Sequence, residues 1–119
     1  MFRVLLVDDD QGYRRLVRIM LEREDDFQVV AEAGDGSEAL ELMDQINPDL
    51  VIMDVQMPGM DGFEATRMIL QQRPEAKVVL MSRTGRMRGY SRMAQEAGAL
   101  AFVPKQELGI NVLRQILNT

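Results

Sequence analysis

Residues 50–62 read LVIMDVQMPGMDG, and this stretch decides the fold. It begins with a continuous apolar run, Leu50 to Met53, which is typical of a strand buried on both faces. The run ends in a carboxylate at Asp54. Asp61, with Glu64 three residues later, predicts the start of a helix by side-chain capping. The stretch therefore predicts a buried strand and then a helix, with an acidic side chain where the strand ends.

The same alternation of an apolar run and a helical stretch occurs five times along the chain. Strands are predicted at residues 4–7, 29–31, 50–53, 78–81 and 100–103. Helices are predicted at about 11–24, from 35 to a stop at 47–48, from 61 to about 73–74, at about 87–97 and at about 107–118. Repeated strand-helix units with right-handed crossovers indicate an α/β fold. We expect a flavodoxin-like, doubly wound sheet of five parallel strands in the order 2-1-3-4-5, with five helices.

Helical spacing also predicts which side chains face the core. The predicted core positions that bear on later results are Tyr13, Leu16, Met68, Met87 and Met93. Gly98 is expected to end the fourth helix in a left-handed conformation.

Length and composition limit what the protein can be. A chain of 119 residues, 46% hydrophobic and 28% charged, is expected to form one globular domain over residues 1–119. Its apolar runs are far shorter than the roughly 18 residues that cross a membrane, and no export leader is visible. We therefore expect a cytoplasmic protein without a membrane span.

The chain has no cysteine and no histidine, which excludes disulfides, thiolate or imidazole zinc sites and the usual nucleophilic triads. Its chemistry must use carboxylates, hydroxyls, basic side chains or a metal ion held by oxygen. The net charge of -5 argues against direct nucleic-acid binding by this domain. Four arginines are nevertheless concentrated in one segment, at positions 83, 86, 88 and 92.

Polar side chains follow four of the predicted strands. Asp8, Asp9 and Asp10 follow the first strand, Asp54 the third, Ser82 the fourth and, after a proline, Lys105 the fifth. Carboxylates at neighbouring strand ends repel by about 3 kcal/mol at an effective dielectric constant near 20. A divalent cation and the lysine can offset this repulsion, and an all-oxygen acidic site suits Mg²⁺ or Mn²⁺.

An aspartate between a metal ion and a lysine is placed to attack a phosphoryl group. The implied reaction is phosphoryl transfer to Asp54, which gives an acyl phosphate. Each residue also has a structural interpretation: Asp9 or Asp10 could simply cap the first helix, because aspartate is a preferred residue at helix starts. Capping is the preferred role for Asp10, Asp54 alone could be a buried acid at a turn, and Ser82 or Lys105 alone would be an ordinary loop residue.

The chain resembles the receiver domains of two-component response regulators. The likeness rests on VLLVDD at 4–9, MDVQMPG at 53–59, LMS at 80–82 and ALAFVPK at 99–105, and it covers the whole chain. The stretches AGDGSEAL at 33–40 and DGFEATR at 61–67 are most similar to receivers joined to helix-turn-helix DNA-binding domains.

This resemblance implies a role for each matching residue. Asp54 is the expected phosphoacceptor, Asp8 and Asp9 the acidic pair for Mg²⁺, and the Gln56 main-chain carbonyl a further metal ligand. Ser82 would follow the phosphoryl group, Phe102 would reorient with it, and Lys105 would be the family's lysine. The donor would be a histidine kinase or phosphotransfer protein, and the output face would be helix 4, strand 5 and helix 5, through which a homodimer could form.

Two departures from the family pattern bear on these expectations. The order Pro104-Lys105-Gln106 replaces the more usual Lys-Pro, so we expect a trans bond after the lysine. Arg83, beside Ser82, would shield the acyl phosphate, contact a partner or simply be solvated, and the roles of Arg86, Arg88 and Arg92 are open between an acidic partner and a dimer mate.

Two other function classes compete with a phosphoryl switch. One is a pseudo-receiver, which binds partners without phosphorylation, although the full set of site residues argues against it. The other is a magnesium-dependent phosphohydrolase. Such enzymes commonly carry an aspartate two residues after the nucleophile, where this chain has Gln56, so no turnover of external phosphate esters is expected.

Overall fold

The computed structural model describes residues 1–84 and 89–118. Its strands are β1 (Phe2–Val7), β2 (Phe27–Ala33), β3 (Leu50–Asp54), β4 (Lys77–Ser82) and β5 (Ala101–Pro104). Its helices are α1 (Gln11–Glu22), α2 (Gly36–Ile46), α3 (Gly62–Gln72), α4 (Tyr90–Ala97) and α5 (Ile110–Leu117), with a short 3-10 turn at Lys105–Glu107.

The five strands form one parallel sheet in the order β2-β1-β3-β4-β5, which confirms the predicted topology. Alternate strand residues face opposite sides of this sheet. Leu5, Val51 and Leu80 pack with α2, α3 and α4, whereas Val4, Ile52 and Val79 pack with α1 and α5. Helices therefore cover both faces, which explains why the strands read as continuous apolar runs.

The helix starts follow the predicted capping chemistry. Asp35 accepts a hydrogen bond from Glu38 N at the start of α2, and Asp61 does the same from Glu64 N at the start of α3. Gly98 ends α4 with a φ of 97°, in the left-handed region that favours glycine, as predicted.

Three predicted core positions are exposed instead. The exposed fraction is 65% for Leu16, 38% for Met68 and 43% for Met93. Each directly precedes a buried residue of its helix: Val17, Ile69 and Ala94. Because the sheet contacts only a narrow stripe of each helix, a residue turned about 100° away from that stripe reaches solvent.

The predicted ends of the elements also need correction. The first helix stops at Glu22, and the fifth begins at Ile110 because residues 105–107 form the 3-10 turn. The described part of α4 begins at Tyr90; Met87 and the predicted start at 87 lie outside the described residues, as do Arg86 and Arg88. None of the described helices is both long and apolar enough to cross a membrane.

Candidate functional site

The polar residues at the strand ends are brought together at the carboxyl edge of the sheet. β1 and β4 both pair with β3, and β5 pairs with β4, so the four strands end side by side. Four side chains there are buried: Asp8, Asp54, Ser82 and Lys105. Asp9 lies next to them and is exposed. The site is therefore largely desolvated, with one carboxylate at its mouth.

Two of the carboxylates are oriented in the same way. Asp8 Oδ1 accepts a hydrogen bond from Asp10 N (2.9 Å), and Asp54 Oδ1 accepts one from Gln56 N (3.0 Å). In each case the donor is the amide two residues later, in the turn that follows the strand. Oδ2 of each carboxylate instead faces Lys105 Nζ, at 2.7 Å from Asp8 and 3.2 Å from Asp54.

Asp8, Asp9 and Asp54 form an acidic cluster suited to a metal ion. One oxygen from each of the three lies within 4.8 Å of the others, and no other such cluster occurs in residues 1–84 and 89–118. Asp8 Oδ2 is buried and accepts no hydrogen bond from the described residues, although Lys105 neutralises part of its charge. A set of carboxylate oxygens that carries more negative charge than Lys105 offsets fits a hard divalent cation such as Mg²⁺.

The electrostatics of the cluster change the acidity of Asp54. Burial raises the pKa of its carboxyl to about 6, from an ordinary value of 3.8. The hydrogen bond from Gln56 N opposes this rise, the neighbouring charge of Asp8 adds to it, and the Lys105 ammonium lowers the pKa. In the absence of a bound metal ion, the Asp54 carboxyl therefore takes up a proton at a higher pH than an ordinary aspartate does.

An aromatic side chain contacts Lys105 at two points. Tyr13, in the first turn of α1, donates a hydrogen bond from its hydroxyl to the Lys105 main-chain carbonyl (3.0 Å). The Lys105 ammonium lies 4.5 Å from the centroid of the Tyr13 ring. Burial, followed by the charges of Asp8 and Asp54, raises the pKa of Tyr13 to about 12, so the hydroxyl remains a donor at neutral pH.

On the other side of the site, Ser82 and Phe102 lie in the two strands nearest α4. Ser82 Oγ lies 2.8 Å from Thr84 Oγ1 and also accepts a hydrogen bond from Thr84 N (3.2 Å). The Phe102 ring is buried and meets the Tyr90 ring edge-on, with the centroids 5.7 Å apart. Aromatic packing thus joins β5 to α4 close to the site.

Tyr90 also reaches the loop that follows Asp54. Its hydroxyl accepts a hydrogen bond from Gln56 Nε2 (3.3 Å), and its ring packs edge-on against Phe63. A groove of about 560 Å³ opens here, between Met57 and Pro58 on one side and α4 on the other, and Asp9 lies at its rim. The groove therefore extends to the exposed carboxylate of the acidic cluster.

The structure distinguishes the three consecutive aspartates. Asp10 accepts a hydrogen bond from Tyr13 N and caps α1, as the structural interpretation of this residue predicted. Asp8 and Asp9 are the two that face the cluster. No cis peptide bond occurs in the described residues, so the expected trans bond after Lys105 is confirmed. Arg83 is exposed, and Arg92 is exposed with an ion pair to Glu96 at 3.8 Å.

Four residues of the site were not identified from the sequence as site residues, and Tyr90 is one of them. Tyr13 was predicted only as part of an apolar stripe, and Thr84 and Arg14 were not singled out. The Arg14 guanidinium donates to the Asp8 main-chain carbonyl and pairs with Glu32 at 2.9 Å. The one sequence signal that could have identified Tyr13 is its hydroxyl, a polar group on an otherwise apolar helix face.

A model of the response regulator receiver domain matches residues 4–118 of this chain. The chain is similar to the chemotaxis protein CheY of Listeria monocytogenes, with 39% identity over 105 residues, 88% of this chain and 87% of that protein. It is also similar to a protein-glutamate methylesterase/protein-glutamine glutaminase of Pseudoalteromonas atlantica, with 38% identity over 114 residues. That match covers 96% of this chain but only 30% of the length of the methylesterase.

Solved structures show the same fold. The signal receiver domain of the putative response regulator NarL from Mycobacterium tuberculosis matches with a TM-score of 0.88 and 30% identity. The match covers 98% of this chain and 94% of that chain.

Proposed function

This chain belongs to the response regulator receiver domain family, and we propose that its Asp54 accepts a phosphoryl group from a histidine kinase or phosphotransfer protein. Receiver domains of two-component systems interact with such donors. One observation carries the proposal: Asp54 is a buried carboxylate with one oxygen held by Gln56 N and the other facing Lys105. Because one oxygen is held and the other faces an ammonium, the Asp54 carboxylate is oriented to attack a phosphoryl group.

The acidic cluster is proposed to hold Mg²⁺, with Mn²⁺ as a substitute. Asp8, Asp9 and Asp54 would supply carboxylate oxygens, and the Gln56 main-chain carbonyl would supply another ligand. The three carboxylates share one buried ammonium, and the negative charge that remains supports this assignment. When bound, such a cation neutralises negative charge that builds up on phosphoryl oxygens.

The chemical step is a transfer between two nucleophiles. An Asp54 carboxylate oxygen attacks phosphorus as the bond from phosphorus to the donor's imidazole nitrogen breaks, and the nitrogen keeps the electron pair. Lys105, already within 3.2 Å of Asp54, neutralises charge on the transferring group. Water later attacks phosphorus, which releases inorganic phosphate and the Asp54 carboxylate. We expect no turnover of external phosphate esters.

Ser82 and Phe102 are proposed to convert the modification into a change of surface. The phosphoryl group adds a charge of about -1.5 to -2 and three acceptor oxygens. Ser82 Oγ would exchange its contact with Thr84 Oγ1 for one of these oxygens. Phe102 would then repack against Tyr90, which changes the face formed by α4, β5 and α5.

The altered face is proposed to bind the output partner in the cytoplasm, either a second copy of this chain or an acidic protein surface. Two apolar side chains on this face, Met93 and Leu100, are exposed by 43% and 44%. Arg92 is exposed beside them. Sedimentation with and without beryllofluoride tests the homodimer; a monomer under both conditions would exclude it.

Intact-mass spectrometry of the 1–119 chain tests the phosphoacceptor. Acetyl phosphate and Mg²⁺ should add one phosphoryl group to the wild type, and EDTA should prevent the addition. Asp54→Asn should remain unmodified, whereas Asp44→Asn, at an exposed position of α2, should be modified like the wild type. A wild type that stays unmodified would favour the pseudo-receiver alternative, and steady hydrolysis of p-nitrophenyl phosphate would favour a phosphohydrolase.

A further inference from the structure

Tyr13 contacts Lys105 at both ends of the lysine residue. Its hydroxyl donates to the main-chain carbonyl at 3.0 Å, and its ring lies 4.5 Å below the ammonium. The two residues are 92 positions apart in the sequence, and these contacts join the first turn of α1 to the end of β5. No other described side chain forms a hydrogen bond with the Lys105 main chain.

Although two ion pairs hold the Lys105 ammonium, the main chain at Lys105 is held by few other hydrogen bonds. Lys105 begins a 3-10 turn of only three residues, and the hydrogen bond that closes this turn, from Leu108 N to Lys105 O, is 3.3 Å long. A lysine side chain is also a flexible stem with freely rotating donors. The Tyr13 hydrogen bond is the shorter of the two at this carbonyl, and the ring face attracts the ammonium.

We propose that Tyr13 is a positioning residue for Lys105, holding its carbonyl by hydrogen bonding and its ammonium over the aromatic ring. The ammonium is thereby kept within reach of Asp8 and Asp54 at the same time. The catalytic consequence rests on the proposed function, because it requires Lys105 to assist phosphoryl transfer. The positioning itself does not depend on that function and is measurable without any phosphoryl donor.

Two substitutions separate the two contacts. Tyr13→Phe keeps the ring and removes the hydroxyl, and Tyr13→Leu removes both. Leu16→Ala is the matched control: Leu16 lines the same small groove beside Tyr13 and Lys105, and its side chain is largely exposed. Urea unfolding of each variant establishes that the chain is folded under the conditions of measurement.

The first readout is nuclear magnetic resonance of the unphosphorylated protein. The Lys105 carbonyl carbon, observed through the Gln106 amide, reports the hydrogen bond. The lysine ε-methylene resonances report the ring, and with only Lys77 and Lys105 in the chain, exposed Lys77 is an internal reference. We expect Tyr13→Phe to shift the carbonyl resonance, and Tyr13→Leu also to move the Lys105 ε resonances towards those of Lys77.

The second readout is the rate constant of modification by acetyl phosphate. Loss of one hydrogen bond predicts a decrease of about 3- to 10-fold in Tyr13→Phe. A larger decrease is expected in Tyr13→Leu, with no change in Leu16→Ala. A Tyr13→Phe variant with the wild-type carbonyl resonance overturns the positioning, whether or not the rate falls, and a rate unchanged in both variants overturns its catalytic consequence. Failure of the wild type to be modified would count against the proposed function, and the resonances would still decide the positioning.

Discussion

Lys105 Nζ lies 2.7 Å from Asp8 Oδ2, and the same ammonium reaches Asp54 Oδ2 at 3.2 Å. One buried positive charge therefore serves two buried carboxylates, with Asp9 adding a third negative charge at the mouth of the site. The site is left with an excess of negative charge. Because of this excess, we expect the stability of the protein to depend on Lys105, on pH and on bound cations, and each dependence is measurable.

Lys105→Met removes the ammonium while keeping a side chain of similar length. Leaving buried carboxylates without a partner is costly, so we expect the free energy of unfolding at pH 7.5 in EDTA to fall by about 2–4 kcal/mol. Because the variant has lost its internal cation, Mg²⁺ should restore more stability to it than it adds to the wild type. Urea unfolding with EDTA or Mg²⁺ measures both effects.

The second lysine gives a control of identical chemistry. Lys77 is exposed at the start of β4, so Lys77→Met should change stability by less than about 0.5 kcal/mol. Equal losses in the two variants would show that the Lys105 ion pairs do not stabilise the site.

The raised pKa of Asp54 predicts a pH dependence of stability. The pKa is about 6 in the folded chain and ordinarily 3.8, so the protonated form of this carboxyl favours folding. Its contribution to the free energy of unfolding is full below about pH 4 and is lost as the pH rises through 6. Asp54→Asn cannot ionise. We expect it to exceed the wild type in stability by about 1–2 kcal/mol at pH 7.5 in EDTA, with a difference that shrinks towards pH 4.

Urea unfolding at several pH values between 4 and 7.5 measures this difference. Asp44→Asn, at an exposed position, should show no such trend relative to the wild type. A gap between Asp54→Asn and the wild type that widens as the pH falls would contradict the raised pKa.

Much of this architecture could be predicted from the sequence because its signals are local. Each apolar run, capping aspartate and terminal glycine acts within a few residues, and the strand order then follows from handedness rules. The resemblance to receiver domains is confirmed by the match over residues 4–118. The convergence of Asp8, Asp54 and Lys105 also follows from strand order, whereas the roles assigned to these residues stay a prediction.

What the sequence did not reveal depends on side-chain direction. Leu16 has the helical spacing of a core residue, yet a shift of one position around the helix exposes it. Asp8 and Asp9 are adjacent and identical in type, but only Asp8 is buried. The contact between Tyr13 and Lys105 joins residues 92 positions apart, and no local pattern specifies it.

Neighbouring aspartates with different roles give a test of the metal site. Asp9→Asn and Asp10→Asn each remove one negative charge, but only Asp9 belongs to the cluster, and asparagine at position 10 still caps α1. We expect Asp9→Asn to weaken Mg²⁺ binding at least about 10-fold and Asp10→Asn less than about 3-fold. Isothermal titration with MgCl₂ measures both, and equal losses would mean that overall charge, not ligation, holds the ion.

Gly62 lies against the backbone of Asp54 and Val55. We therefore expect its replacement by a larger residue to lower stability for a steric reason. A Cβ atom at this position would lie 2.4 Å from the Asp54 main-chain oxygen and 2.8 Å from Val55 Cα. Backbone cannot rotate away as a flexible side chain can, so β3 and α3 must separate. We expect Gly62→Ala to lower the free energy of unfolding by about 2–4 kcal/mol and to slow modification of Asp54. Gly109→Ala is the control, since a Cβ there meets nothing within 4 Å and the backbone is extended, with a φ of -161°. Similar stability losses in the two variants would show that the close approach at Gly62 is readily relieved.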